Sequence, residues 1–269
     1  MSLIQQPSLD IEANLFSLPR EIRDLIYTAL LQIPNDPPTS PEEAGPRFRK
    51  GSSLYSVERY PEAVYAALLR CNRQLRDEFQ EVLFARQPVR DFRLDCMIKS
   101  DGLWPTWILL PCPGTRDIGV LNVDLRLFNV GHGHDQYVQF FDDGGPATIF
   151  TPLFQLLNRF FHHGPRFFSS SAKDDVHGRN LHVNTLCMTL IHERPGANSN
   201  PDDPLYDQRH IRSTCWFALL KIANSGLLLG KIEKLKLCWR DEIREAEVKG
   251  TGERRDVAEW DLYGFRWGP

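Results

Sequence analysis

The densest group of side chains with ligand chemistry is His132-Gly133-His134-Asp135, followed closely by Asp142 and Asp143. Imidazole and carboxylate suit zinc or iron, and two histidines one residue apart in a glycine-rich loop can both turn toward one ion. His192, Glu193 and His210 add further candidate ligands. The spacing matches no established metal motif such as H-E-x-x-H. These residues are therefore read first as polar loop positions, with metal ligation as the alternative. Gly131-x-Gly133 and Gly144-Gly145-Pro146 lack the strand-loop-helix context and the lysine of a phosphate loop. There is no G-x-S-x-G, and Ser169-Ser170-Ser171 reads as a flexible link. The six cysteines, Cys71, Cys96, Cys112, Cys187, Cys215 and Cys238, stand singly among apolar neighbours with no CxxC pair. They are read as reduced core residues. No cofactor is expected, and no catalytic residue is assigned.

The elements that must position these groups follow one apolar template. It occurs as Val89-x-x-Phe92-x-Leu94-x-Cys96, Ile118-x-x-Leu121-x-Val123-x-Leu125, Val183-x-x-Leu186-x-Met188-x-Leu190 and Ile232-x-x-Leu235-x-Leu237-x-Trp239. Each predicts a strand that buries alternate residues. Helical patterns precede three of them, at 61–85, 149–163 and 213–229. Helix followed by strand, repeated, predicts an α/β fold with a largely parallel sheet, α+β being the alternative. The I-x-x-L-x-L core also fits an irregular leucine-rich-repeat-like curve, although the spacing keeps no fixed period. Residues 104–112 add a strand between the first and second, with Pro105, Pro111 and Pro113 holding it to an edge. The polar segments 128–146, 192–208 and 240–256 leave the C-terminal ends of parallel strands, which is where open α/β sheets bind ligands. Trp260, Leu262, Tyr263, Phe265 and Trp267 form an aromatic tail expected to pack back on the domain.

Toward the N-terminus, Leu18-Pro19-Arg20-Glu21-Ile22-Arg23-Asp24-Leu25-Ile26-Tyr27 opens a helix, with Pro19 at its first position and Glu21 in the first turn. Ile22, Leu25, Ile26, Ala29, Leu30 and Ile33 have the spacing of a buried stripe. Val64, Leu68, Cys71, Leu75, Phe79 and Val82 supply the matching face of a second, longer helix starting at Pro61. Between them, residues 34–60 carry Pro34, Pro37, Pro38, Pro41 and Pro46, then the basic cluster Arg47-Phe48-Arg49-Lys50, and are expected to be a loop. Arg70, Arg73 and Arg76 form a basic stripe read as a solvated helix face. Tyr65 and Leu69 widen the apolar arc of the second helix beyond what one neighbour needs.

At these residues the chain resembles the fungal F-box-like proteins, whose signature runs LPxEIRxxIYxxLL and then aLLrxcRQlRxE. The resemblance covers about the first third of the chain. It implies a helical module that docks a Skp-type adaptor within an SCF-type ubiquitin ligase, with Leu18, Pro19, Ile22, Ile26, Tyr65 and Leu69 as the partner-binding set. The expected organisation is a loose terminus at 1–14, an F-box-like module at 15–86 with the Pro-rich insertion at 34–60, and an α/β or repeat-like domain at 87–269. Alternatively, the two helices form the N-terminal cap of one core.

The chain has 269 residues, 42% hydrophobic and 25% charged, with a formal net charge of -3. This is ordinary globular composition, with no overall basic field to hold nucleic acid. No signal-peptide pattern or membrane-length apolar run is present, so a cytoplasmic or nuclear protein is expected. The functional expectation is a non-enzymatic interaction protein whose partners are the adaptor and a target protein. The alternative is an α/β enzyme or metal-binding protein with its site at His132, His134 and Asp135.

Overall fold

A computed structural model describes residues 14–50, 54–57, 68–83, 91–99, 102–109, 115–128, 150–164, 181–192, 208–250, 257–263 and 265. The chain divides into two compact units, Met1–Ile33 with Val64–Val89, and Pro34–Ala63 with Arg90–Pro269.

In the first unit, a short 3₁₀ turn at Leu15–Ser17 leads into helix α1, Arg20–Leu31. Pro19 stands just outside it as the N-cap, and its carbonyl accepts from the N–H groups of Ile22 and Arg23. The second helix is broken. After α2 (Leu68–Cys71), Asn72 turns extended and its side chain accepts from the Leu75 N–H at 2.8 Å, starting α3 (Arg73–Glu81) afresh. Asparagine is among the strongest N-caps, so the apolar spacing runs through a boundary that the cap imposes. The expected start at Pro61 lies outside the described residues.

The second unit is built on one sheet. Its described strands are β1 (Arg47–Lys50), β2 (Leu54–Val57), β3 (Asp91–Lys99), β4 (Gly102–Leu109), β5 (Asp117–Phe128), β6 (His182–His192), β7 (Ile232–Trp239) and β8 (Glu242–Glu247), in the order β1-β2-β4-β3-β5-β6-β7-β8. β3, β5, β6 and β7 run parallel, and β4 and β8 are antiparallel to their neighbours β3 and β7. The four templates become the register itself. Phe92, Leu121, Leu186 and Leu235 pair in one row, and Leu94, Val123, Met188 and Leu237 in the next. All eight are at most 2% exposed.

Helix α4, Phe150–His163, buries Phe150, Leu153, Phe154, Leu156, Leu157, Phe160 and Phe161, and contacts β2 and β4. Helix α5, Gln208–Asn224, contacts β7 and β8. After α6 (Val257–Leu262), Trp260, Tyr263 and Phe265 are buried, and Trp260 and Phe265 pack their rings against Phe154. Leu262 is the exception at 71% exposed, while Trp267 lies outside the described residues.

The opposite face of the sheet is polar. The Asp95 carboxylate takes two hydrogen bonds from Arg126, at 2.6 and 2.7 Å, and Arg93 pairs with Asp124 at 2.7 Å. Burial pushes the Asp95 carboxyl up, with Arg126 opposing it. Cys96 and Cys215 are buried as expected of core cysteines, but Cys71 is exposed, and Cys187 and Cys238 are half-buried on this polar face. Burial, then the Cys238 thiol, pushes the Cys187 thiol up to about 11.

Three expectations are corrected. The segment 34–60 is more than a loop: it contains the β1–β2 hairpin and a strap tied to the sheet. The Asn35 N–H donates to the Ile108 carbonyl at 2.7 Å, Arg126 donates to the carbonyls of Pro38 and Thr39, Glu42 pairs with Lys99, and Arg47 donates to the Pro105 carbonyl at 2.6 Å. The prolines restrict the strap's backbone, and its ties to the sheet combine its own backbone groups with the side chains of Glu42 and Arg47.

The strand expected at 104–112 is β4, Gly102–Leu109, and it is interior rather than at an edge, because β2 lies beside it. The pairing of β2 with β4 is recorded at Leu54 and Leu103. Next to Pro105, which lacks an N–H, the Arg47 guanidinium occupies the flank. Finally, the described part of 240–256, residues 240–250, does not leave the sheet as a ligand loop: Arg240 and Asp241 make a tight turn, with Arg240 at φ 50°, and β8 returns alongside β7. Leucine-rich repeats are not established by this mixed sheet.

Candidate docking face of the helical unit

α1 packs on α3 by the face that the apolar spacing did not select. Arg23, Asp24, Tyr27 and Leu31 are buried, at helical spacing, while Ile22 and Leu25 are exposed. This corrects the expected stripe, and its cause is the chemistry that α3 presents. Glu78 follows Asn72 by six positions and lies beside Phe79, so α3 offers a carboxylate and a ring together. Arg23 donates to both Glu78 carboxylate oxygens, at 2.8 and 2.7 Å, the Tyr27 hydroxyl donates to the same carboxylate at 2.9 Å, and the Gln74 amide donates at 3.0 Å. The Tyr27 ring meets Phe79 edge-on at 5.6 Å.

A bidentate arginine with further donors is the arrangement that makes a buried carboxylate tolerable. The Arg23 guanidinium, then Gln74 and Tyr27, holds Glu78 down at about 2 against the opposing effect of burial. Arg23 also donates to the Leu18 carbonyl at 2.5 Å, and Arg20 bridges Asp24 at 2.7 Å and Glu81 at 3.1 Å. Tyr27 supplies a large apolar surface with a polar tip, which an aliphatic residue could not bring to Glu78.

With that face anchored, the other side of α1 carries the apolar line. Leu18, Ile22, Leu25 and Ile33 are 36, 43, 65 and 44% exposed, and Ala29 between them is exposed as well. Ile22, Leu25 and Ala29 share one face of α1 at helical spacing, while Leu18 precedes the helix in extended backbone and Ile33 follows its C-cap. A shared face of this kind is a different observation from scattered exposed leucines.

Of the residues predicted to bind a partner, Leu18, Pro19 and Ile22 are exposed, and Ile26 and Leu69 are half-buried. Tyr65 lies outside the described residues. Sequence reasoning did not include Leu25 and Ile33 in the set. Leu25 shares the face of α1 that carries Ile22, and Ile33 follows the helix end; which face meets solvent is decided only by the partner helix. The stripe Arg70, Arg73 and Arg76 is exposed; Arg73 approaches Asp77 at 4.0 Å and Arg76 donates to the Leu69 carbonyl.

His132, His134 and Asp135 lie outside the described residues, as do Glu193 and most of 192–208. Among the described residues no group of three or more His, Cys, Asp or Glu side chains is assembled to hold a metal. One groove in the second unit, about 590 Å³, is open and polar and lies at the N-terminal ends of β6 and β7, with His182, Glu233, Lys234 and Glu247 on its walls. That is the end opposite to the predicted ligand edge. Among the described residues no helix is long and apolar enough to cross a membrane.

The molecule is thus a mixed α/β protein with a mostly parallel sheet, and its helical unit presents an exposed apolar line. No family model matches the chain, and no curated protein or solved structure matches it.

Proposed function

We propose that the chain is a non-enzymatic interaction protein whose α1 docks a protein adaptor of the Skp type, in the manner of a substrate-recognition subunit of an SCF-type ubiquitin ligase. The observation that carries the reading is the exposed pair Ile22 and Leu25 on a helix whose opposite face is locked by Arg23, Tyr27 and Glu78, with Leu18 and Ile33 exposed just beyond its two ends. A helix fixed in this way offers anchors at the spacing that helix-in-groove recognition uses. Fully burying one such side chain is worth about 1.5–3 kcal/mol, so a few of them suffice as the core of a binding face. The resemblance of residues 18–31 and 66–78 to the F-box-like signature supplies the class of adaptor. The second unit, with its own core and strap, is the part available to hold a target.

The test is direct binding of the full chain to a purified Skp-type adaptor, by calorimetry or surface plasmon resonance. Ile22→Asp with Leu25→Asp should weaken binding by at least tenfold while leaving the far-ultraviolet circular dichroism and the melting temperature unchanged. Absence of binding by the unsubstituted chain, or equal binding by the double variant, overturns the proposal. The alternative site at His132, His134 and Asp135 rests on residues outside the described ones and gains no support from the geometry.

A further inference from the structure

Cys187 of β6 and Cys238 of β7 sit on the polar face of the sheet with their sulfurs 3.5 Å apart. In the sequence both occupy unassigned positions of adjacent templates, and alternation turns both away from the core. The register pairs Cys187 with Lys236 and Thr189 with Cys238, so the two thiols are diagonal neighbours, two residues out of step. In a parallel pair, strands about 4.8 Å apart with a rise of about 3.3 Å per residue put Cα atoms two residues out of step about 8 Å apart. A disulfide needs Cα atoms within about 7 Å, so the register works against a direct S–S bond. A bridging ion removes the mismatch. Two metal–sulfur bonds of about 2.3 Å at the tetrahedral angle set their sulfurs about 3.8 Å apart, within a few tenths of an ångström of the separation here.

We propose that Cys187 and Cys238 form a two-thiolate chelating site for a soft, thiophilic d10 cation. Thiolate sulfur selects that class over hard cations such as magnesium or calcium. Both thiols are half-buried, hence reachable from solvent. Lys236 shares their face, steadied by Glu245 at 2.6 Å, and places a positive charge where the bound thiolates add negative charge. On binding, each thiol gives its proton to solvent and two metal–sulfur bonds replace two S–H bonds, with no change of oxidation state. The remaining coordination positions belong to water or to a small-molecule thiol, since no third His, Cys, Asp or Glu among the described residues completes the set.

The experiment is titration of the fully reduced, full-length chain with Cd(II), followed by thiolate-to-metal charge-transfer absorbance. One equivalent should bind. Cys187→Ser and Cys238→Ser should each weaken binding at least tenfold, and Cys71→Ser, which removes an exposed thiol in the other unit, should not. Circular dichroism on each variant reports whether the fold is kept. No charge-transfer absorbance, or absorbance that persists unchanged in both site variants, overturns the proposal. So does ready formation of a Cys187–Cys238 disulfide with oxidised glutathione, found by peptide mapping, in a chain that takes up no Cd(II).

Discussion

β6 and α1 both carry apolar residues at regular spacing, and they send them to opposite sides of the surface. In β6, Leu186, Met188 and Leu190 go inside, at 1, 0 and 6% exposed; in α1, Ile22 and Leu25 stay outside and Arg23 and Asp24 go in. The strand has two neighbours with the same pattern, and in-register pairing lets every row be apolar together. A one-residue slip would turn the whole set to solvent. The helix has two stripes of comparable rank, and its partner chooses between them. Glu78 beside Phe79 selects Arg23 and Tyr27, because a buried carboxylate needs a charged donor more than a neighbouring leucine needs cover.

The comparison can be broken most forcefully at its polar end. Arg23→Ala removes the bidentate partner of the Glu78 carboxylate and should give the largest loss of stability in the helical unit, measured by urea denaturation with a helix-sensitive probe. Leu186→Ala, the matched deletion in the sheet, should cost about 2–5 kcal/mol in the second unit. If the arginine change costs under about 1 kcal/mol, the charged network is not what orients α1.

Acid sharpens the same contrast. Glu78 is held at about 2 in the folded state, below its ordinary value. Its stabilising contribution is therefore complete above the unfolded value and is lost as pH falls through the acid range toward about 2. Circular dichroism against pH should show acid weakening of the helical unit in the unsubstituted chain, and Glu78→Gln should flatten that part of the profile. The smallest effect belongs to the exposed stripe: Leu25→Asp alone should change stability by no more than about 0.5 kcal/mol, whatever it does to adaptor binding. A larger loss would mean that the stripe is covered within the chain.

The sheet was legible because its signal is redundant. Four copies of one template constrain each other, so Phe92, Leu121, Leu186 and Leu235 could be placed in a common layer before any coordinates. The strap was hidden because its contacts are isolated ones to distant positions, the carbonyls of Pro38 and Thr39 with Arg126, the Asn35 N–H with the Ile108 carbonyl and Glu42 with Lys99, and no periodicity announces such contacts. β1 and β8 were hidden for another reason: Arg47–Lys50 and Glu242–Glu247 are short and mostly charged, as edge strands often are, and charge reads as loop. In the helical unit the element was legible and its orientation was not, since the choice between stripes is a property of the pair. The approach of Cys187 and Cys238 was written in the template positions, but only the adjacency of β6 and β7 turns two single cysteines into a pair.

The strap also decides how this protein can be cut. Residues 34–63 leave α1 and return to α3, yet their partners Lys99, Pro105, Ile108 and Arg126 all come later in the chain. A fragment stopped near Val89 would contain α1, α2 and α3 but would carry residues 34–50 deprived of the strands they bind. Tolerated truncation follows the burial and bonding of the severed backbone, not its position in sequence. Excising the helical unit therefore calls for replacing 34–63 with a short flexible linker, which lowers the loop-closure entropy of bringing α1 to α3 as well.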